Sequence, residues 1–261
     1  MPDPKGRRFS VALYRLRIQT GGRLALKVTG QFRSQSAAIS RALRAGTNPL
    51  DEFVDADEKM LKAMGPQYRQ AARGTGKLLT QIYGYTAQPI PADVVAAAGR
   101  RIVSINGSTR DMVQRRLRYA VKENLSTRET QALLREVVVN KKRVRLIART
   151  ELGFATNQSM AQVMRGEAET HVETLDGPDC GWTSHSDPRS ASGLIVTIDA
   201  AEEVPLAHPN CVRAFTPVAR SSEAELQCLL TSQSESLAEK LFRTASRNGS
   251  SYSPESWPDL S

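Results

Sequence analysis

A chain of 261 residues with 40% hydrophobic content can bury a core of domain size, whereas 5% aromatics and a mean hydropathy of −0.39 point to a helical protein with solvated portions rather than a compact enzyme. The formal net charge of +9 is uneven: residues 1–149 hold 29 Lys+Arg against 11 Asp+Glu, a net +18, and residues 150–261 hold 7 against 16, a net −9. No run approaches the roughly 18 apolar residues that a membrane span needs, and three cysteines do not make a disulfide framework.

The N-terminus, MPDPKGRRFSVALYRLRIQT, starts basic but has neither a continuous apolar run nor a small-residue cleavage site. No signal peptide is expected, and the compartment is cytosol-like. Residues 1–90 read as a basic, helical N-terminal region. Its RRFSVALYRLR block concentrates charge enough to favour a polyanion or an acidic protein surface, through Arg7, Arg8, Arg15 and Arg17. A solvated helix face is the plainer reading of the same residues. SQSAAISRALRAG (34–46) reads as a short helix, with Ser34 or Ser36 as N-cap and Gly46 as its stop. From Asp51 to Tyr85, Phe53, Met60, Leu61, Met64, Tyr68 and Leu78 recur at helical steps. Gly65-Pro66 is expected to interrupt that helix, because proline cannot continue the hydrogen-bond ladder. TAQPIPAD (86–93) reads as a linker.

Residues 91–166 carry the clearest periodicity and are expected to form an antiparallel helical bundle. Ser108 precedes DMVQRRLRYAVKENL and reads as the start of a helix, with Arg115, Arg116 and Arg118 as a basic cluster. Ser126 opens STRETQALLREVV with Glu129 at the capping-box distance, and Leu133, Leu134, Val137 and Val138 form the stripe to be buried. A further helix is expected from about Lys141 to Met164, with Val144, Ile147, Ala148, Leu152, Ala155, Ser159 and Val163 on one face. It begins with another basic cluster, Lys141, Lys142 and Arg143. Aromatics do not interleave with these arginines, so any nucleic-acid contact would be nonspecific and to the backbone.

After Gly166 the texture changes. HVETLDGPDCGW, LIVTID and VRAFTPV are short, β-branched and separated by Gly/Pro/Asp turns, so residues 167–220 read as a small β-rich Cys/His unit. Residues 221–261 read as one helix followed by a disordered tail. The fold class expected is α+β, mainly α: an antiparallel helical bundle, a small β-rich unit and a partly disordered C-terminal tail.

Two short pieces, LDGPDCGWTSH (175–185) and LAHPNCVRAF (206–215), hold two of the three histidines and two of the three cysteines. Zinc accepts two thiolates and two imidazoles in a tetrahedron, and Cys180, His185, His208 and Cys211 are the four candidates. The competing reading makes Cys180 and Cys211 small buried hydrophobes, with His208 and Asn210 bonded to the backbone of a turn set by Pro209. A redox-labile cysteine pair is the third. In ARTE, Arg149 and Glu151 flank Thr150 two positions apart on a helix, so they cannot pair with each other. Each is expected either to bind off the helix, pinning it to the β unit or to a neighbouring subunit, or to be a solvated charge.

In this order, the STRD- and STRET-initiated helices, RLIARTELGFATNQSMAQ, DGPDCGW and HPNCVRAF resemble the Mu F-like minor head proteins of the phage head morphogenesis family. The resemblance covers residues 95–218, and its strongest pieces are ARTE (148–151) and HPNC (208–211). Members commonly carry a Cys-x-x-Cys pair upstream of the HPxC element, which this chain lacks. The resemblance implies a virion component bound near the portal vertex in the head interior, present in the host cytoplasm during assembly. Its implied partners are the portal protein, the scaffold or major capsid protein, and packaged DNA contacted nonspecifically. No catalysis is expected. A nonspecific DNA-binding module is the alternative, and a Cys/His-dependent protease or nuclease a more distant one, since three histidines are too few for a metal nuclease. Glu167-x-Glu169 resembles an ADP-ribosyltransferase element in spelling alone.

Overall fold

The computed structural model describes residues 4–86, 92–175, 193–206 and 211–218, together with positions 224, 227 and 231. The protein is α+β and mainly α: long helices form the body, and a three-stranded antiparallel sheet closes one end.

The first helix, α1, spans Pro4–Ala45. The short helix expected at 34–46 is only its last part, and Ser36 lies buried in mid-helix instead of capping anything. The cause is a stripe longer than its last two turns. Phe9, Leu13, Thr20, Leu24, Val28, Phe32, Gln35, Ile39 and Ala42 are all buried and follow three-, four- or seven-residue steps. Gly46, at φ +69°, ends the helix as expected. A 3-10 turn at Pro49–Phe53 follows, capped by Asn48, whose side chain accepts from the Leu50 N–H at 3.1 Å.

Helix α2 spans Ala56–Tyr83 and runs through Pro66 without the expected break. Pro66 is exposed, while Met60, Met64, Tyr68, Ala72 and Leu79 carry one buried stripe past it. Packing along that stripe outweighs the one ladder bond that proline removes. Helix α3, Ala92–Lys122, starts well before Ser108, where the helix was expected to open. Ser108 is no cap: its hydroxyl donates to the Ile105 carbonyl one turn back, at 2.9 Å. The linker at 86–93 is described only at its ends, Thr86 and Ala92–Asp93.

Helix α4, Thr127–Val138, has the capping box that its sequence announces, with Ser126 accepting from the Glu129 N–H and Glu129 reaching back. Leu134 and Val138 are buried; Leu133 and Val137 flank them half-buried. Helix α5, Lys141–Gly166, buries every residue expected on its inner face, and much of the rest as well. It is the central helix, enclosed on several sides.

Strand β1 (His171–Leu175) sits between β2 (Ile195–Thr197) and β3 (Ala214–Pro217), antiparallel to both. In LIVTID only the first part is strand; Thr197 caps a short helix, α6 (Ile198–Glu203). The sheet does not stand apart. Phe9 and Leu13 of α1, Leu79 of α2, and Met160 and Met164 of α5 share one core with Val172, Val196 and Phe215. Residues expected in three successive regions thus bury one another. The rest of α1–α5 packs around a second core that includes Phe32, Met64, Ile105, Val138 and Ile147. Of the C-terminal segment expected as helix and tail, positions 224, 227 and 231 are helical, and the remainder lies outside the described residues.

Candidate functional site

Helix α5 organises the polar interior. Glu151, from ARTE, is fully buried; the Tyr68 hydroxyl donates to its Oε2 at 2.6 Å, and Arg101 of α3 grips both oxygens, Nη2 at 2.6 Å and Nε at 2.8 Å. The Arg101 guanidinium also lies 3.6 Å from the centre of the Phe154 ring. Glu151 therefore pins α5 to α2 and α3, which corrects the expectation that its partner is the β unit or another subunit. The physical reason is burial: a carboxylate this deep needs a cation and a donor from the same interior. Burial, reinforced by the neighbouring carboxylate, pushes the Tyr68 hydroxyl well above its ordinary pKa. Thr150 is also fully buried, and Arg149 lies on the exposed side.

Two turns further along α5, a second arrangement ties the helix to the chain entering β3. Asn157 donates to the carbonyls of Pro205 (2.6 Å) and Arg213 (3.0 Å). Arg17, reaching across from α1, donates to Asn157 Oδ1 (2.6 Å), Thr156 Oγ1 (2.8 Å) and the carbonyls of Val212 and Arg213. Gly153 makes room for this segment: a Cβ there would stand 3.1 Å from Leu206 Cδ2. Cys211 is buried beside it and its Sγ accepts the Arg213 N–H at 3.4 Å. Burial lowers the Arg17 guanidinium to about 10, offset in part by Cys211. Arg17 was expected at an outer contact surface; the structure makes it an internal clamp.

Arg143 is corrected in the same way. It is 6% exposed, and its Nη2 donates to Thr109 Oγ1 (2.8 Å), Ser108 Oγ (3.1 Å) and the Ile105 carbonyl (3.3 Å) of α3. Its Nε and Nη1 meet no acceptor among the described residues. Lacking a carboxylate partner there, its pKa is lowered by burial to about 10.

The other basic residues stay outside. Arg7, Arg8, Arg15, Arg115, Arg118, Lys141 and Lys142 are exposed and Arg116 is half-buried. The first three come together with a cation from another helix. They line a cleft of about 750 Å³ between α1 and α2, with Lys77 on the opposite bank and Val11, Leu16 and Leu78 in its floor. The two other basic clusters, on α3 and at the start of α5, do not line it. Sequence reasoning had no means of adding Lys77, which depends on how α1 and α2 pair.

Glu167 and Glu169 serve as anchors. Glu169 accepts from the Tyr85 hydroxyl at 2.8 Å, and Glu167 from the Thr86 N–H at 2.7 Å, tying the end of α2 to the turn before β1. Of the expected zinc ligands, Cys180, His185 and His208 lie outside the described residues, as do Pro209 and Asn210. Among the described residues, no group of three or more His, Cys, Asp or Glu side chains is placed to hold a metal ion. No described helix is long and apolar enough to cross a membrane. No protein-family model, no curated protein and no solved structure matches this chain.

Proposed function

We propose that the protein is a minor head protein of a tailed phage, a non-catalytic part that joins the portal during head assembly. The observation that carries this reading is the use made of its family-like segment, ARTELGFATN. Glu151 is held by α2 and α3, while Gly153, Thr156 and Asn157 receive α1 and the chain entering β3. Each of these groups is taken up in internal bonding or close packing, as suits an architectural hub and ill suits a site that must meet substrate. Outside this hub the protein offers cationic helix surface, suited to acidic partners.

Zinc is not required for this reading, because Cys211 is already packed against α5 and bonded to the Arg213 N–H. A tetrahedral zinc on Cys180, His185, His208 and Cys211 is the alternative for that corner; metal analysis of the purified chain, expecting none against about one per chain, separates the two.

The test is coexpression with the portal protein of the same phage, followed by nuclease treatment and sedimentation at moderate salt. Comigration with portal rings after nuclease is expected. Release by nuclease would transfer the protein to the second reading, nonspecific DNA binding, which rests on the ten Lys or Arg and the absence of any acidic residue in α1.

A further inference from the structure

We propose that the α1/α2 cleft is a docking site for an acidic amphipathic helix of a partner protein. The inference stands independently of the portal reading, since it defines the occupant by chemistry alone.

The cleft joins two features that rarely coincide on a solvated surface. Its floor is aliphatic, built from Val11, Ala12, Leu16 and Leu78. Leu16 lies over Gly74, where a Cβ would come within 2.7 Å of Leu16 Cδ1, so the missing side chain at 74 is what lets Leu16 sink and the cleft stay open. Its banks are cationic, with Arg7, Arg8 and Arg15 facing Lys77. No acidic residue occurs anywhere in α1, nor in α2 from Lys59 to Tyr83, so nothing in these stretches neutralises the banks. Val11 is 47% exposed, and Ile18, two turns on along the same side of α1, is 48% exposed.

This combination selects among occupants. A nucleic-acid backbone would satisfy the arginines and leave phosphates against aliphatic carbon, burying none of it. A second copy meeting the cleft symmetrically, with its own α1/α2 face, would bring arginine against arginine. A helix with leucines along one face and glutamates on both flanks meets both demands: its apolar anchors at i, i+3/i+4 and i+7 fill the floor, and its carboxylates take charge-assisted bonds from the banks. From Pro4 to Gln19 the cleft follows α1 for about 22 Å at 1.5 Å per residue, the length of roughly four helical turns.

The probe is a fluorescent synthetic helix of about 15 residues, with leucine on one face and glutamate on its flanks, set against a scrambled isomer of the same composition. Anisotropy with the full chain should show the patterned peptide binding about tenfold or more tighter than its isomer. Val11→Glu, at an exposed position, and Arg8→Glu with Arg15→Glu should each cost about tenfold while leaving the circular dichroism unchanged. Equal binding of the two isomers, or binding of neither, overturns the proposal. Displacement by short duplex DNA with Val11→Glu silent assigns the cleft to nucleic acid and overturns it. A concentration-dependent dimer dissolved by Val11→Glu overturns it in favour of a second copy. Tighter binding by the full chain carrying Leu226→Glu and Leu230→Glu overturns it in favour of the chain's own C-terminal segment.

Discussion

The middle and the start of α5 bury a charge each and treat it in opposite ways. Toward the middle, Glu151 has a bidentate arginine and a tyrosine hydroxyl, so its charge is matched and its oxygens are occupied. At the start, Arg143 has one nitrogen bonded to neutral oxygens of α3, two nitrogens with no acceptor among the described residues, and the Phe32 ring 5.1 Å from its carbon centre. Both lie deep in the same helix, yet only the first is an electrostatic fixture. Burial alone therefore says little about what a charge contributes; the identity of its partners decides the sign.

The sharpest way to break the contrast is to orphan Glu151. Arg101→Ala leaves a buried carboxylate with only Tyr68, and the expected loss is about 3–5 kcal/mol in urea unfolding, the range found when one member of a buried pair is removed. A loss under about 1 kcal/mol would mean that water reaches Glu151. Arg17→Met comes next. It strips donors from Asn157 Oδ1 and from the Val212 and Arg213 carbonyls, and should cost about 2 kcal/mol. Hydrogen exchange should then report weakened protection in β3, whose approach Arg17 fastens, ahead of α4.

How much of this was readable beforehand follows the sequence distance of the interactions. The Ser126/Glu129 box is three residues long and was visible as such, and the stripe of α5 from Val144 to Val163 was visible because its period is local. The β-branched pieces after Gly166 announced the sheet for the same reason. Arg17, by contrast, meets Thr156 across 139 residues of chain, and Arg101 meets Glu151 across 50. Nothing near either arginine distinguishes it from Arg15 or Arg100, which are exposed. The extent of α1 was missed for a different reason: Thr20, Gln35 and Ser36 occupy its buried stripe, so polar letters stand where an apolar pattern was sought.

A smaller effect, sharpened by pH, comes from Tyr68. Its folded-state pKa is raised well above 10, mainly by desolvation, while the unfolded chain titrates near the usual value of about 10. Above that pH the unfolded state releases a proton that the folded state keeps, so the stability linked to Tyr68 is complete below about pH 10 and falls as pH rises. Arg17 and Arg143, lowered to about 10, act with the opposite sign: between about 10 and their ordinary value of 12.5 the unfolded state binds the extra proton. Tyr68→Phe removes both the bond to Glu151 and this loss at high pH. The variant should start lower at pH 7, by about 1–2 kcal/mol for one bond to a charged group, and approach wild type as pH climbs past 10. Parallel stability curves would show that Tyr68 does not titrate differently in the two states.

The smallest expected change is at the other end of the comparison. Arg143→Met keeps the bulk of the side chain over Phe32 and removes a charge that no carboxylate among the described residues balances. What is lost is the set of bonds from Nη2 to Thr109, Ser108 and the Ile105 carbonyl. Two of these acceptors have a second use, because the hydroxyls of Thr109 and Ser108 both donate to Ile105 within α3. Removing Arg143 therefore leaves no buried donor stranded, whereas removing Arg101 strands a buried anion. The expected shift lies within about 1 kcal/mol of zero, and a gain in stability is consistent with replacing an unbalanced buried ion by an apolar side chain of like volume. A loss comparable to that of Arg101→Ala would show that Arg143 is balanced by a counter-charge after all, and the start and the middle of α5 would then obey the same rule.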